Sequence, residues 1–158
     1  MIVTNVMRLL TKAKVAFTPL YYDLGDAPFS GEAVCRALGI PESASFKTLC
    51  ATGERKGVAV FVVPIAADLH LKKAAAALGD KAVALCHVKD LLGLTGYERG
   101  SVTPVGMKKR YPVFIDDTAL SLSEMAISGG AQGVSLMVKP REIASYLGAT
   151  FAPLCGEP

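Results

Sequence analysis

The stretch GVAVFVVP, residues 57–64, restricts the fold more than any other part of the chain. Consecutive positions are apolar, and consecutive side chains of a strand point to opposite faces. A strand here must therefore be covered on both sides, as a central strand is. Extended to 67 the apolar run is still too short to cross a bilayer, and Pro64 interrupts it. The preceding residues 45–52 form a second strand, and GERKG (53–57) joins the two as a hairpin.

Within that second strand the stretch SFKTLC carries a lysine. Alternation puts Phe46, Thr48 and Cys50 on one face and Lys47, Leu49 and Ala51 on the other. Lys47 thus shares a face with apolar neighbours. Two readings follow. Its stem can cover Leu49 while its head reaches water. Alternatively it lines a cleft wall, where low dielectric strengthens its pull on a phosphate or a developing oxyanion.

The remaining chain alternates helices and short strands. A helix over 4–13 has Val6, Leu9, Leu10 and Ala13 along one side, and a strand follows over 17–22. A helix over 31–38 stops at Gly39, and an Ala- and Leu-rich helix over 68–78 stops at Gly79. Strands are expected over 82–86, 113–115, 124–128 and 133–138, with a small helix ending near 97 and a last one opened by Pro140. Hairpin-linked strands without a steady βαβ rhythm predict an α+β fold. Its expected form is a mixed, mostly antiparallel, barrel-like sheet wrapped by helices. With 158 residues, 51% of them apolar and 20% charged, the chain suits a single domain over 1–158.

Much familiar chemistry is missing. There is no GxGxxG, no GxxxxGK[ST], no GxSxG and no HExxH. Cys35, Cys50, Cys86 and Cys155 lie far apart, which favours free thiols over a zinc site or disulfide framework. No metal and no cofactor are expected. Cys86 and His87 adjoin, but neighbours in sequence point in different directions. The pair Asp116–Asp117 beside Thr118 reads as a capped turn. No export signal or membrane span is evident, so a cytoplasmic protein is expected. The formal charge of +3, with Lys108, Lys109 and Arg110 as one dense cluster, is compatible with touching a few phosphates.

Three features besides Lys47 can carry function. In ERGSVTPVG (98–106), Gly100 and Pro104 fix a loop able to present backbone groups to a small substrate. In ISGGAQG, Ser128 and Gly129 open a glycine-rich turn whose N–H groups can form an anion nest, although most such turns are plain hairpins. Tyr22 and Phe29 flank a loop where their rings either stack on a base or pack in the core.

SFKTL at 45–49, GVAVFVVP after it, LKKAAAALG at 71–79, TGYERGSVTPVGMKKR at 95–110 and AISGGAQGVSLMVKP at 126–140 occur in one order along the chain. In this the sequence resembles the YbaK family of aminoacyl-tRNA deacylases, in its bacterial cysteinyl-tRNA(Pro) branch. The resemblance implies a barrel-like mixed sheet, also found as the editing domain of prolyl-tRNA synthetases. It also implies hydrolysis of mischarged tRNA(Pro) and a complex with prolyl-tRNA synthetase, with no membrane or DNA partner. By motif, Lys47 matches the family's essential lysine, Thr48 its neighbour in the pocket, and Gly100 and Pro104 the GxxxP loop. Ser128 and Gly129 match the second substrate-facing turn, and Tyr22 and Phe29 the aromatic positions. The implied mechanism is attack by the substrate's own thiol on its ester, giving a thiolactone. Alanyl-tRNA(Pro) as substrate, or a non-catalytic module binding nucleotides or tRNA, are the alternatives. Ser135 stands where some members carry an acidic residue.

Overall fold

The computed structural model describes residues 1–156. Local chemistry explains where the helices begin. α1 (Asn5–Lys12) starts because the Thr4 hydroxyl accepts the Met7 N–H at 3.3 Å, and it buries Val6, Met7 and Leu10. α2 (Gly31–Leu38) is capped by Ser30, whose hydroxyl accepts the Ala33 N–H at 3.0 Å. α3 runs from Leu71 to Leu78, later than the expected start at 68, because the His70 Nδ1 caps it by accepting the Lys73 N–H. α4 (Leu91–Thr95) is short, and α5 (Pro140–Leu147) opens on a proline whose fixed φ suits a first turn.

Among the described residues eight strands form two sheets. β2 (Phe46–Gly53) and β3 (Gly57–Pro64) make the expected hairpin, in register from Phe46↔Pro64 to Gly53↔Gly57. β4 (Val83–Leu85) pairs antiparallel with β2. On the other side β5 (Val113–Asp116) runs parallel to β3, and β8 (Thr150–Ala152) runs parallel to β5. The order is β4-β2-β3-β5-β8, so β3 is central, as its two-sided apolarity requires. The second sheet, β1-β7-β6, is antiparallel and built from β1 (Phe17–Tyr21), β6 (Met125–Ser128) and β7 (Val134–Val138). The α+β class is as expected. The barrel is instead two sheets, which meet at a parallel bridge between Ser45 and Ala126.

Two cores lie on the two faces of β2 and β3. Phe46, Cys50, Val60 and Val62 pack with α1 and with Met125, Ile127, Val134 and Leu136 of the three-stranded sheet. Ala51, Ala59, Phe61 and Val63 pack under α3 with Phe114 and Leu154. Phe61 is fully buried and stacks on Phe114 with ring centroids 5.5 Å apart. Such a buried ring contributes about 1.5–3 kcal/mol through burial alone.

Candidate active site

Strand parity assembles the site. The bridge Ser45↔Ala126 puts these two side chains on one side of the joined sheets, and two residues further along each strand come Lys47 and Ser128. Ser128 pairs with Ser135, and Ser135 pairs with Leu20. One more alternation past Leu20 reaches Tyr22, held by its N–H to Gly133 O at 3.0 Å. Tyr22, Lys47, Ser128 and Ser135 therefore share a face, although the first and last are 113 positions apart.

That face is bordered by α2 and the loop after α4. Ser45 is hydrogen-bonded to the Cys35 thiol of α2, and its carbonyl accepts the Ile65 N–H at 2.9 Å. Ile65 in turn packs against Gly31, where an added Cβ would lie 3.2 Å from its Cγ2. The half-buried Lys47 donates from Nζ to the Ile65 carbonyl at 3.4 Å. The ammonium thus sits at a protein lip beside the start of α2 rather than stretched into open solvent. On the adjoining strand, Ser128 Oγ donates to the Ser101 carbonyl at 3.0 Å, which ties the 98–106 loop to β6. Phe29 rests on the same loop, its ring edge 3.2 Å from where a Gly100 Cβ would be. Gly100 has φ +91, a conformation that suits glycine.

Other expected positions fall differently. Thr48 pairs with Val62 and points to the opposite, α1-covered face, so its side chain does not join Lys47. Pro104 is buried and borders a separate concavity of about 280 Å³ with Met107, Arg110 and Tyr146. Gly129 is packed against Val134, which explains its lack of a side chain. Two of the turn's N–H groups are already engaged. The Gly129 N–H is spent on Val134 O at 3.0 Å and the Gly130 N–H on Ser128 Oγ at 3.1 Å. By contrast, the Gly100 N–H makes no hydrogen bond to another described residue.

A larger concavity of about 590 Å³ lies beside β4 and carries Cys86 and His87. The Cys86 sulfur is 3.2 Å from Thr52 Oγ1, on the side of the sheet away from Lys47. Lys47 does not line that concavity. The other cysteines are poor nucleophiles. Burial pushes the Cys50 thiol up to about 11 and that of Cys155 up to about 12, the latter helped by the Asp116 carboxylate against the pull of Lys47 and Lys73. Burial raises Cys35 as well. Among the described residues no cluster of three His, Cys, Asp or Glu is placed to hold a metal.

Sequence reasoning missed Ile65, Ser101 and Gln132. Gln132 stands in the quoted ISGGAQG turn, yet nothing in its spacing shows that its amide reaches Gly100, where an added Cβ would lie 2.7 Å from Nε2.

The structure is thus a mixed α+β fold that brings Lys47, Ser128 and Ser135 onto one face of its joined sheets. The family model described as "Aminoacyl-tRNA editing domain" matches residues 29–146. The chain belongs to that family and is an aminoacyl-tRNA deacylase. It is 36% identical over 151 residues, 96% of this chain and 92% of the other, to an Enterococcus faecalis (strain ATCC 700802 / V583) protein named "Putative Cys-tRNA(Pro)/Cys-tRNA(Cys) deacylase EbsC". The fold matches the crystal structure of "a putative trans-editing enzyme for prolyl tRNA synthetase" with TM-score 0.81 and 23% identity, covering 99% of this chain and 100% of that one. A hypothetical protein of known structure matches with TM-score 0.86 and 25% identity, over 96% of this chain and 99% of that one. No helix of the described residues is long and apolar enough to cross a membrane.

Proposed function

We propose that this chain, working as a single domain in the cytoplasm, removes cysteine from Cys-tRNA(Pro) in trans. The observation that carries the reading is the composition of the Lys47 face. Lys47, Ser128, Ser135 and Tyr22 share it, and none of them is a nucleophile paired with a base. This fits a substrate that brings its own attacking group. The cysteine thiol sulfur bonds to the ester carbonyl carbon, the carbon–oxygen bond to the ribose breaks, and the thiol proton passes to the departing hydroxyl. The products are a cyclic thiolactone and free tRNA. Holding sulfur and carbonyl in contact can contribute roughly 7–11 kcal/mol in ideal cases. The free Gly100 N–H is our candidate donor to the carbonyl oxygen. Lys47 anchors the terminal nucleotide and sets the ester's position.

Incubation with Cys-, Ala- and Pro-tRNA(Pro) tests this. The cysteinyl ester is expected to disappear fastest, and S-alkylation of the substrate is expected to protect it. Folded protein that cleaves none of the three defeats the reading. Lys47→Ala is expected to cut turnover by roughly 10²-fold or more with an unchanged melting temperature.

Ser135 favours a second reading. Its hydroxyl, buried on the Lys47 face beside Ser128, offers no carboxylate for a substrate amine. Alanine as substrate would be revealed by cleavage that does not need a thiol. A non-catalytic module would bind tRNA with no turnover at all. Selection among tRNAs is assigned to a partner, prolyl-tRNA synthetase, since the basic surface of this chain is small. The name of the Enterococcus relative spans two tRNAs, which supports that division of labour.

A further inference from the structure

We infer that Cys50 and Cys86 form an oxidisable dithiol, a site at which a peroxide converts two free thiols into one disulfide across β2 and β4. The site lies on the face of the sheet turned away from Lys47 and does not depend on the deacylase reading.

Register sets the two cysteines opposite each other. β2 and β4 pair Gly53 with Val83, Thr52 with Ala84 and Ala51 with Leu85, and one further step brings Cys50 opposite Cys86. A hydrogen bond from the Cys86 N–H to Cys50 O at 3.0 Å carries the ladder to that pair. Directly opposed residues send their side chains to the same face. A hydrogen-bonded antiparallel pair holds its Cα atoms about 5.5 Å apart, which is within the span of a disulfide. Both side chains pack into one core cluster, Cys50 within it and Cys86 against it. The Cys86 sulfur lies 3.2 Å from Thr52 Oγ1, and Thr52 is two residues from Cys50 on the same face. A change of rotamer at Cys86 turns its sulfur from that hydroxyl toward Cys50.

The two thiols differ in the way the reaction requires. Cys86 is half-buried and lines the concavity of about 590 Å³ beside β4, so a small oxidant reaches it first. Cys50 is 4% exposed, and burial, with Cys86 close by, pushes it up to about 11. It stays a protonated thiol, shielded from the oxidant, until its neighbour has reacted.

Hydrogen peroxide supplies the two oxidising equivalents. The Cys86 sulfur attacks one peroxide oxygen, the oxygen–oxygen bond breaks, and water leaves behind a sulfenic acid. The Cys50 sulfur then attacks the Cys86 sulfur and the sulfur–oxygen bond breaks. The departing hydroxide takes the Cys50 proton and leaves as a second water. Two thiols are oxidised to a disulfide and one peroxide is reduced to two waters. Cross-strand proximity offsets the weakness of Cys50 as a nucleophile.

Titration of the purified chain with hydrogen peroxide, followed by mass spectrometry of unreduced peptides, tests the site. The expected product is one bond joining Cys50 to Cys86, with the mass of two hydrogens lost and full reversal by dithiothreitol. Cys35 and Cys155 should remain open to alkylation after unfolding. Cys50→Ala is expected to halt the reaction at a sulfenic acid on Cys86 that dimedone traps. Cys86→Ser should slow the loss of the Cys50 thiol by at least about tenfold. A folded chain that forms no Cys50–Cys86 bond under peroxide overturns the inference. So does Cys86 pairing between two copies, or Cys50 oxidising at an unchanged rate in the Cys86→Ser protein.

Discussion

Asp116 shows how one residue can hold a distant segment. It is 2% exposed, yet its carboxylate accepts the Thr118 hydroxyl at 2.6 Å, the Thr118 N–H at 3.3 Å and the Leu154 N–H at 2.9 Å. Burial pushes its pKa up, but these hydrogen bonds and one from the Cys155 thiol outweigh burial and hold it below the usual 3.8. A folded-state pKa below the unfolded one stabilises the protein above about pH 4, and that contribution is lost as pH falls through the folded value. Asp116→Asn is expected to cost about 1–3 kcal/mol at neutral pH, since it weakens charge-assisted bonds and leaves a buried N–H poorly paired. Thermal melts of both proteins between pH 7 and pH 3 check this. Curves that converge on acidification support the assignment, and a constant gap contradicts it. The cap on Thr118 was legible from Asp-Asp-Thr because it is local. The bond to Leu154 was not, because the partners lie 38 positions apart in sequence.

At the scale of elements, the β6–β7 hairpin joins stability to the site. An added Cβ on Gly129 would approach Val134 Cγ1 to 2.8 Å and the Val134 carbonyl to 3.1 Å. The second contact is backbone, so a rotamer change cannot relieve it. Gly129→Val is expected to destabilise by about 1–3 kcal/mol through overpacking. It should also lower activity at temperatures where the variant stays folded, because Ser128 must shift with the turn. A denaturant midpoint measured beside kcat/KM separates the two effects, and full activity with lowered stability would show that Ser128 is not needed. The same scale decides what a sequence reveals. β2 and β3 were readable to within a residue because their pattern is strong and their turn is local. β8 was not read as a strand. It has three residues and depends on parallel pairing with β5, a contact that no local pattern encodes. The expected helix start at 68 was early because Leu69 instead pairs with Cys155.

For the whole molecule, the site depends on how two sheets join. Alternation along β2 alone told that Lys47 and Leu49 share a face, and this holds: Lys47 pairs with Val63 and Leu49 with Phe61, both on the α3-covered side. What alternation could not tell is that the bridge at Ser45 continues this face into Ala126, Ser128 and Ser135. Family resemblance supplied Lys47, Ser128 and Gly100 together, whereas Thr48 shows where adjacency in sequence misleads. Charge also acts on this scale. The chain has 17 basic and 14 acidic residues, a surplus of +3, and exposed Lys108, Lys109 and Arg110 form its dense cluster. A surface of that size neutralises few phosphates, and with about two or three contacts log KM should rise with log salt with a slope of roughly 2. Lys108→Glu with Lys109→Glu should raise KM for the tRNA substrate and flatten that slope, while kcat at saturation stays near that of the unaltered protein, since these residues lie on the exposed 107–110 loop rather than on the Lys47 face. A steep slope near 6 in the unaltered protein would mean that a much larger surface meets the tRNA. An unchanged slope in the double variant would place the phosphate contacts elsewhere on the chain.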